Sequence, residues 1–386
     1  MVKNISIISN DKCTGCGACR NICPVNAIIM QHDSKGFLRP QISTKCVMCG
    51  KCIAVCSAIV KADEKDTVKK GYAVKNINEK DRYSSSSGGF FSVITNYVLN
   101  LQGSVYGAVF GENYQVQHSR AVTHADVCRM KGSKYVQSDT SDIYMLLEND
   151  LRSGKWVLFT GTPCQCAGVK KFLVHKQICI EKLILLDVIC HGVPSPLVWK
   201  LYVQWQKAKY GTIDEIRFRD KRFGSEHYGL LVKHGNHEYC KKDMQDPYIH
   251  IFCKDLAVRD SCKDCIYKKK NRGTDITMGD FPDARKKLGS FCDSKGISFI
   301  MLNSHKGEQI YESVQGNLEI MQMNMKMYTQ SNLAPVKIIV KNYQKFWDDL
   351  ERRGFPYVLK KYTEEGLTKR LYGNLKRAIK KLIKKM

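Results

Sequence analysis

The sequence predicts an α/β (α+β) chain in three parts: a small cysteine-rich module at the N-terminus, a larger domain with a mixed sheet, and a helical C-terminus. Two cysteine runs of identical spacing lie within the first 60 residues, which predicts the small module. Apolar β-rich segments then alternate with helical ones, the pattern of a buried sheet flanked by helices. Because a module of about 60 residues covers a small part of the 386, at least one larger domain must follow.

The N-terminal module contains the spacing C-x2-C-x2-C-x3-C twice. Bacterial ferredoxins bind two 4Fe-4S clusters with this spacing, and the fourth cysteine of each run ligates the other cluster. We therefore expect one cluster on Cys13, Cys16, Cys19 and Cys56, and a second on Cys46, Cys49, Cys52 and Cys23. Pro24 follows the first run, whereas Ser57 stands at the equivalent place in the second.

Two other roles for these cysteines fit the sequence less well. A disulfide framework needs an oxidising compartment, and residues 1–10 do not resemble a signal peptide with a charged start and an apolar core. Structural zinc uses paired C-x2-C units without further cysteines at fixed offsets. The 18 cysteines therefore indicate a reducing, cytoplasmic location. No stretch reaches the roughly 18 apolar residues that a membrane span requires.

Lysine and arginine outnumber aspartate and glutamate by 62 to 37. Such an excess attracts nucleic acid, anionic lipid or acidic proteins, and the count alone does not choose among them. No motif for base recognition is present, so nucleic acid is not the expected partner. Since small electron carriers are commonly acidic, a basic face for an electron-carrier protein or a redox partner subunit is the preferred explanation.

Composition divides the chain into four segments. The ferredoxin module takes residues 1–60, and the charged residues 61–71 are predicted to form a solvated linker. The α/β domain takes residues 72–325, with strands at 104–110, 116–123, 156–160 and 183–189 and helices at 141–153, 163–174 and 197–209. Segments 213–219, 229–234 and 238–242 look like antiparallel additions, so the sheet is predicted to be mixed. Residues 326–386 form the helical C-terminal region.

A run of serines followed by Gly88 and Gly89 precedes an apolar-periodic helix that takes in residues 93–101. Glycines let a bound group approach the backbone, and the free amides and positive dipole of a helix N-terminus favour an anion. The segment therefore predicts a phosphate site. A linker that simply leads into a helix is the alternative.

Four further cysteines lie where the ends of the predicted strands would meet. Cys164 and Cys190 follow two predicted strands, and the carboxyl ends of strands are where ligands bind in such sheets. Cys262 and Cys265 add a C-x2-C unit. The residues alone leave three roles open for these four: a third 4Fe-4S cluster, structural zinc, or core cysteines without a ligand.

Six strings resemble the coenzyme F420 hydrogenase/dehydrogenase β-subunit family, in the family's order and over roughly residues 72–306. They are SSGGF at 86–90, KYVQS at 134–138, GTPCQ at 161–165, CHGVPS at 190–195, FRDK at 218–221 and DITMGDF at 275–281. The resemblance implies a flavin-binding α/β domain that holds FAD and iron-sulfur clusters. It also implies that Cys164, Cys190, Cys262 and Cys265 bind a third 4Fe-4S cluster.

The same resemblance implies a set of FAD contacts. We expect the cofactor to meet Ser87, Gly88, Gly89 and Phe90, with Lys134 and Gln137 at its pyrophosphate or ring edge and Asp280 capping or touching the flavin. A surface lysine beside a strand is the alternative for Lys134. Arg219 and Asp220 are expected to pair with each other.

His191 is the candidate catalytic residue, because histidine can donate a proton near neutral pH. The alternative is a histidine that only hydrogen-bonds a sulfur or a carbonyl. Members of the family reduce a deazaflavin or, in a plant relative, a chlorophyll side chain, and many bacterial members are tied to surface-polysaccharide loci. The implied substrate is thus a small molecule, either a deazaflavin or a sugar- or lipid-linked intermediate.

The C-terminal region carries two further patterns. Residues 318–327 alternate in part, which fits a strand, and from residue 333 the pattern is helical up to Gly354. Apolar residues at 371–383 recur at helical spacing among lysines and arginines. This basic amphipathic helix would lie on the inner face of an anionic membrane or pack on its own domain.

Three functions remain open from sequence. The first is an iron-sulfur flavoprotein oxidoreductase that passes electrons between 4Fe-4S clusters and FAD, with polysaccharide biosynthesis as one setting. The second is a non-catalytic electron-transfer subunit that serves a separate catalytic partner. The third is a structural iron-sulfur protein whose clusters stabilise a binding surface.

Overall fold

The computed structural model describes residues 3–59, 70–140, 142–224, 226–270, 272–325, 328, 331–334 and 337–363. The helices are α1 Ala18–Asn21, α2 Lys51–Ala54, α3 Glu79–Ser84, α4 Phe90–Asn100, α5 His124–Met130, α6 Ile143–Arg152, α7 Pro163–His175, α8 Pro196–Tyr210, α9 Pro247–Cys253, α10 Asp260–Lys263, α11 Ala284–Leu288, α12 His305–Val314, α13 Tyr343–Arg353 and α14 Phe355–Tyr362. The strands are β1 Ile28–His32, β2 Leu38–Ile42, β3 Lys70–Asn76, β4 Ser104–Phe110, β5 Val116–Ala121, β6 Val157–Gly161, β7 Leu183–Val188, β8 Glu215–Asp220, β9 Gly229–His234, β10 His237–Lys242, β11 Ile276–Asp280, β12 Ser298–Leu302 and β13 Leu318–Met323.

The N-terminal module consists of the antiparallel pair β1–β2 and the short helices α1 and α2. Each short helix carries the third cysteine of its run, Cys19 in α1 and Cys52 in α2. The repeated spacing therefore produces the same local structure twice. The two helices contact each other, which brings the two cysteine runs together.

The predicted mixed α/β sheet is confirmed. Eight strands lie in the order β13-β3-β12-β11-β7-β6-β4-β5. The four central strands β11, β7, β6 and β4 are parallel, and the flanking strands are antiparallel to their neighbours. Gly161 of β6 is opposite Asp187 of β7, so the carboxyl ends of these two strands lie side by side.

The prediction for β8, β9 and β10 was wrong in one respect. These strands do not extend the large sheet but form a separate antiparallel sheet of three. The physical reason is that β11 takes the edge of β7 that added strands would have needed. The small sheet packs instead with α8 and α9 in an aromatic core that includes Trp199, Phe218 and Tyr248.

The C-terminal helical pattern is also divided differently from the prediction. A 3-10 turn at Ser331–Leu333 is followed by α13, which starts only at Tyr343. Gly354 ends α13 as expected, and α14 follows directly. The linker residues 61–69 and the basic helix predicted at 371–383 lie outside the described residues, whereas Lys70 already belongs to β3. None of the described helices combines the length and apolarity that a membrane crossing requires.

The N-terminal module packs on α6 and α7 of the larger domain. Its apolar residues Ile5, Ile22 and Val55 share one core with Tyr144 and Phe172. Helix α7 comes close at Gly168, where a Cβ atom would lie 2.9 Å from Cys16 Sγ and 3.0 Å from the Tyr144 hydroxyl. Only a residue without a side chain allows this approach. The two parts of the chain therefore share a continuous packed interface.

Candidate functional site

One cavity of about 290 Å³ at the surface of the N-terminal module is lined by cysteines of both runs. We call it the outer site, and its cysteines are Cys23, Cys46, Cys49 and Cys52. Asn4 donates a hydrogen bond to Cys46 Sγ at 3.7 Å, and the Ala27 amide donates to Cys23 Sγ at 3.2 Å. The structure thus brings together the four cysteines that crossed ligation predicts, with the last from the first run.

The remaining four cysteines of the module form the inner site, which lies against the larger domain. They are Cys13, Cys16, Cys19 and Cys56. Burial raises the pKa of Cys56 to about 11, and the neighbouring Cys16 and Cys13 thiols act in the same direction. Burial likewise raises the pKa of Cys19, again with Cys16 and Cys13 beside it. Iron bound here would take the place of the thiol protons.

Ser57, which replaces the expected proline, has a place in the inner site. Its hydroxyl donates to Cys16 Sγ at 3.5 Å and bonds the Thr14 hydroxyl at 3.0 Å. Its carbonyl accepts a hydrogen bond of 2.8 Å from the Tyr267 hydroxyl. The departure from the ferredoxin pattern therefore supplies a hydrogen bond to a candidate ligand sulfur.

The third set of cysteines lines a cavity of about 550 Å³, counted with its open mouth. We call it the central site, formed by Cys164, Cys190, Cys262 and Cys265. Burial raises the pKa of Cys190 to about 12 and that of Cys262 to about 11. It also raises the pKa of Cys164, with Cys265 as the next cause. Four thiols around one enclosed space fit a cubane cluster.

The large sheet explains how these cysteines meet. Cys164 lies in the first turn of α7, directly after β6, and Cys190 follows the neighbouring parallel strand β7. Thr162 and Gln165 close the start of α7 with a reciprocal capping box. Cys262 lies in α10, and Cys265 follows two residues after that helix ends. Two strand ends and one C-x2-C segment thus converge at the carboxyl edge of the sheet.

The inner and central sites adjoin each other. Thr14, next to Cys13, lines the central cavity together with Tyr267, whose hydroxyl bonds Ser57. Arg259, three residues before Cys262, donates from Nη2 to Cys13 Sγ at 3.4 Å. The path from outer to inner to central site is therefore built from residues in direct contact.

The predicted cofactor segment packs tightly on the sheet. The Gly88 amide donates to Ser298 Oγ at 2.9 Å, and the Ser87 hydroxyl bonds the same oxygen at 2.9 Å. A Cβ atom on Gly88 would lie 2.3 Å from the Ser298 amide nitrogen and 2.4 Å from the Val74 carbonyl. Gly88 is thus required for packing against β3 and β12. Phe90 is buried in the core beneath the sheet.

The start of α4, where Gly89 is the N-cap, fits an anionic cofactor in one respect. The Ser92 hydroxyl in the first turn of this helix is buried and has no hydrogen-bond partner. A helix N-terminus offers further free amides to an anion. The structure therefore leaves at this helix end one polar group that a bound cofactor could satisfy.

Lys134 and Gln137 are held by other contacts. The Lys134 ammonium donates to the carbonyls of Met130, Lys131 and Gly132 at 3.1 to 3.2 Å, and burial lowers its pKa to about 7. It therefore caps the C-terminal end of α5. Gln137 donates to the Thr14 carbonyl at 3.3 Å, which places it against the inner-site loop.

The expected pair between Arg219 and Asp220 is not formed. Arg219 pairs instead with Asp280 at 2.5 Å, and Asp220 pairs with Arg222 at 2.8 Å. Successive side chains of a strand point to opposite faces, so neighbours in β8 cannot easily meet. Asp280 is consequently bound to a buried guanidinium at the end of β11.

His191 lines the central cavity, and its side chain is 37% exposed. Its Nε2 is 2.6 Å from Asp255 Oδ1, and its ring meets that of Phe252 edge-on. The partner is thus a carboxylate, not the sulfur or carbonyl that formed the alternative. A carboxylate that fixes one ring nitrogen orients a histidine for proton transfer at the other.

Several residues at these sites carry no motif of their own: Thr14, Asp255, Arg259, Tyr267 and Lys268. The position of Arg259 just before a C-x2-C unit is the one signal that sequence could have offered. Within the described ranges, no three His, Cys, Asp or Glu residues are arranged around the position of a single metal ion.

Comparison with known families matches two regions of the chain. Residues 12–62 match the family described as 4Fe-4S dicluster domain. Residues 154–326 match the C terminus of the coenzyme F420 hydrogenase/dehydrogenase beta subunit. The second region contains the four central-site cysteines, and the first contains all cysteines of the outer and inner sites.

Two curated proteins are similar to the chain. One is a subunit of the F420H2 dehydrogenase of Methanosarcina mazei, 23% identical over 342 residues that cover 83% of this chain and 87% of the relative. The other is a coenzyme F420-dependent sulfite reductase of Methanocaldococcus jannaschii, 24% identical over 320 residues and 80% of this chain. The chain spans 47% of that second relative.

A solved structure is also similar, a chain of the F420-reducing [NiFe] hydrogenase complex from Methanosarcina barkeri. It shares 14% identity with a TM-score of 0.48, over 70% of this chain and 87% of that one.

Proposed function

Since the chain joins a 4Fe-4S dicluster domain to the C-terminal domain of the coenzyme F420 hydrogenase/dehydrogenase beta subunit, we propose that it is an FAD- and 4Fe-4S-dependent oxidoreductase. The observation that carries this proposal is a series of cysteine sites in which the inner site lies between the outer and the central site. Such a series suits the passage of electrons one at a time. The small-molecule substrate is a deazaflavin or a sugar- or lipid-linked intermediate of surface-polysaccharide biosynthesis.

Each part of the chain has a role in this proposal. FAD, when bound, supplies the two-electron chemistry that single clusters lack. The start of α4 would hold it, with the Ser92 hydroxyl as one contact. His191, oriented by Asp255, would hold a proton at Nδ1 for the substrate.

The test is anaerobic purification followed by analysis of metal and cofactor. We expect about twelve iron atoms per chain, as three cubane clusters require, and FAD released on denaturation. Dithionite should bleach the visible absorbance of the clusters and the flavin. Zinc or no metal at the sulfurs, with no yellow chromophore, would contradict the proposal.

A second candidate is an electron-transfer subunit without its own substrate. The relative of which this chain covers 87% is named as a subunit, which favours this alternative. Both candidates predict the same clusters. Turnover of a deazaflavin by the isolated chain supports the enzyme, and electron uptake without any turnover supports the subunit.

We propose further that an acidic electron-carrier protein docks at the outer site. Cys49 is exposed there, and the side chains of Val47 and Met48 beside it are 61% and 41% exposed. Lys3 and Lys51 line the cavity, which has no acidic residue in its lining. Over residues 3–59 the chain has seven lysines and arginines against two aspartates. Apolar contact surrounded by positive charge is complementary to an acidic partner.

Reversing three charges at this face should slow electron uptake. Lys45, next to Cys46, is exposed as well. The variant K3E/K45E/K51E is expected to accept electrons from an acidic ferredoxin about tenfold more slowly or worse at low salt, because steering is lost. Stopped-flow absorbance at two salt concentrations measures this. The control K200E/K241E/K286E changes three exposed lysines elsewhere by the same net charge and should keep the wild-type rate. Equal slowing of both variants would contradict the docking site.

A further inference from the structure

Arg259 is a fully buried guanidinium between the inner and central sites. Its Nε donates to the Cys13 carbonyl at 2.7 Å, and its Nη2 lies 3.4 Å from Cys13 Sγ. Nη2 also donates to the Leu38 carbonyl at 2.9 Å, and Nη1 donates to Gln137 Oε1 at 3.0 Å. The side chain therefore joins the inner-site loop to the segment that carries Cys262.

Arg259 differs from the other buried arginines in its lack of a carboxylate. Five arginines are buried among the described residues, and four of them pair with aspartate: Arg39 with Asp33, Arg82 with Asp293, Arg219 with Asp280 and Arg272 with Asp187. No ion pair in the described part of the chain includes Arg259. A buried charge without a counter-charge is strongly unfavourable, so an anion must be supplied in the functional protein.

Arg259 contacts the inner site directly and adjoins the central site. Its Nη2 lies 3.4 Å from Cys13 Sγ, and Gln137, which accepts from its Nη1, lines the central cavity. The Cys262 amide also donates to the Arg259 carbonyl at 3.0 Å. Clusters held by four thiolates carry net negative charge, and each added electron makes them more negative. A fixed cation next to such a cluster stabilises the reduced form and raises its reduction potential.

We propose that Arg259 is the shared counter-charge of the inner and central clusters and sets the potentials of both. This inference rests on the proposed function, since it requires both sites to hold clusters. In the step concerned, one electron would pass from the inner to the central cluster, and the outer cluster, reduced by the carrier protein, would return one electron to the inner cluster. Because the cation contacts Cys13 and is separated from the central cavity by the Gln137 side chain alone, it stabilises the electron on either side of the step.

The experiment compares reduction potentials of the holoprotein by anaerobic titration with EPR detection, with signals assigned by single-site cysteine variants. In R259Q, the ratio of reduced to oxidised cluster at a fixed potential should fall about tenfold at the inner and central sites. That change corresponds to about 59 mV for a one-electron couple. The outer site should keep its wild-type potential.

The double variant R39Q/D33N is the matched control. It removes a second buried arginine that also contacts the Cys13 carbonyl, together with its own counter-charge, so no net charge is lost. Its potentials should equal those of the wild type. An R259Q protein that holds its iron and keeps wild-type potentials at both sites would overturn the inference.

The variant R259K tests the inference if R259Q loses its iron and gives no potentials. Lysine retains the positive charge and loses the guanidinium contacts, so the potentials should stay within about threefold in the reduced-to-oxidised ratio. A tenfold shift in an R259K protein with full iron content would show that geometry, not charge, sets the potentials. Absence of clusters from the wild type itself would count against the proposed function instead.

Discussion

Replacement of Cys164 by alanine is expected to lower the iron content from about twelve to about eight atoms per chain. Cys164 lies in the first turn of α7 and lines the central cavity with the three other cysteines. A cubane left with three thiolates lacks a ligand, and the path beyond the inner site is then interrupted. Turnover of the small-molecule substrate should fall by at least roughly 10- to 100-fold. Losses of that size follow mutation of residues that only hydrogen-bond to a metal ligand, and loss of a ligand itself should cost at least as much.

Cys166 provides the matched control for this prediction. It lies in the same helix two residues further on and is fully buried, but it does not line the central cavity. Cys166→Ala should keep the full iron content and the EPR signals of the wild type. Iron and sulfide analysis of both anaerobic proteins makes the comparison. A Cys164→Ala protein with undiminished iron would rule out Cys164 as a ligand.

Removal of Arg272 is expected to destabilise the fold by about 3–5 kcal/mol. Its guanidinium donates to Asp187 Oδ2 at 3.1 Å, and both side chains are completely buried beneath the end of β7. Burial already raises the pKa of Asp187, and Arg272 is the largest influence that opposes this shift. In Arg272→Met the carboxylate loses its cation and remains in the core. Urea denaturation of the anaerobic protein measures the loss.

A second substitution distinguishes the effect of an unpaired buried charge from the effect of lost packing at Arg272. The double variant R272M/D187N removes both charges and should recover part of the stability lost in the single variant, because no unpaired charge then remains buried. Substitution of the exposed Glu79, which pairs with Lys295 at the surface, should have no measurable effect. A single Arg272→Met variant within about 1 kcal/mol of the wild type would refute the prediction.

Much of the fold could be predicted because it depends on local pattern. The predicted strand at 104–110 agrees with β4 at both ends, and the predicted helix at 163–174 ends one residue short of α7. Apolar runs bounded by glycine and proline define such elements. The placement of β8 to β10 could not be derived in this way, since it depends on pairing between segments that are distant in sequence.

The same distinction between local pattern and long-range contact applies to the candidate sites. Cysteine spacing predicted that Cys23 belongs with the second run, and Cys23 lines the outer cavity together with Cys46, Cys49 and Cys52. The contact between Arg259 and Cys13 joins residues 246 positions apart, and no local pattern encodes it. Gly88 was difficult to interpret for a different reason, because a glycine near the start of a helix allows either a bound phosphate or a neighbouring strand to approach. The short distances from a Cβ atom on Gly88 to Ser298 and Val74 show that neighbouring strands approach here.

The hydroxyls of Tyr144 and Thr140 both bind the Cys16 carbonyl, at 2.6 and 2.9 Å, and so attach the ferredoxin module directly to α6 and the preceding loop. A separate ferredoxin must diffuse to its acceptor, dock and leave again for every electron. Here donor and acceptor are permanently at high effective concentration. Under the proposed function, electron transfer between the module and the central domain would therefore be a first-order process that dilution of the protein does not slow.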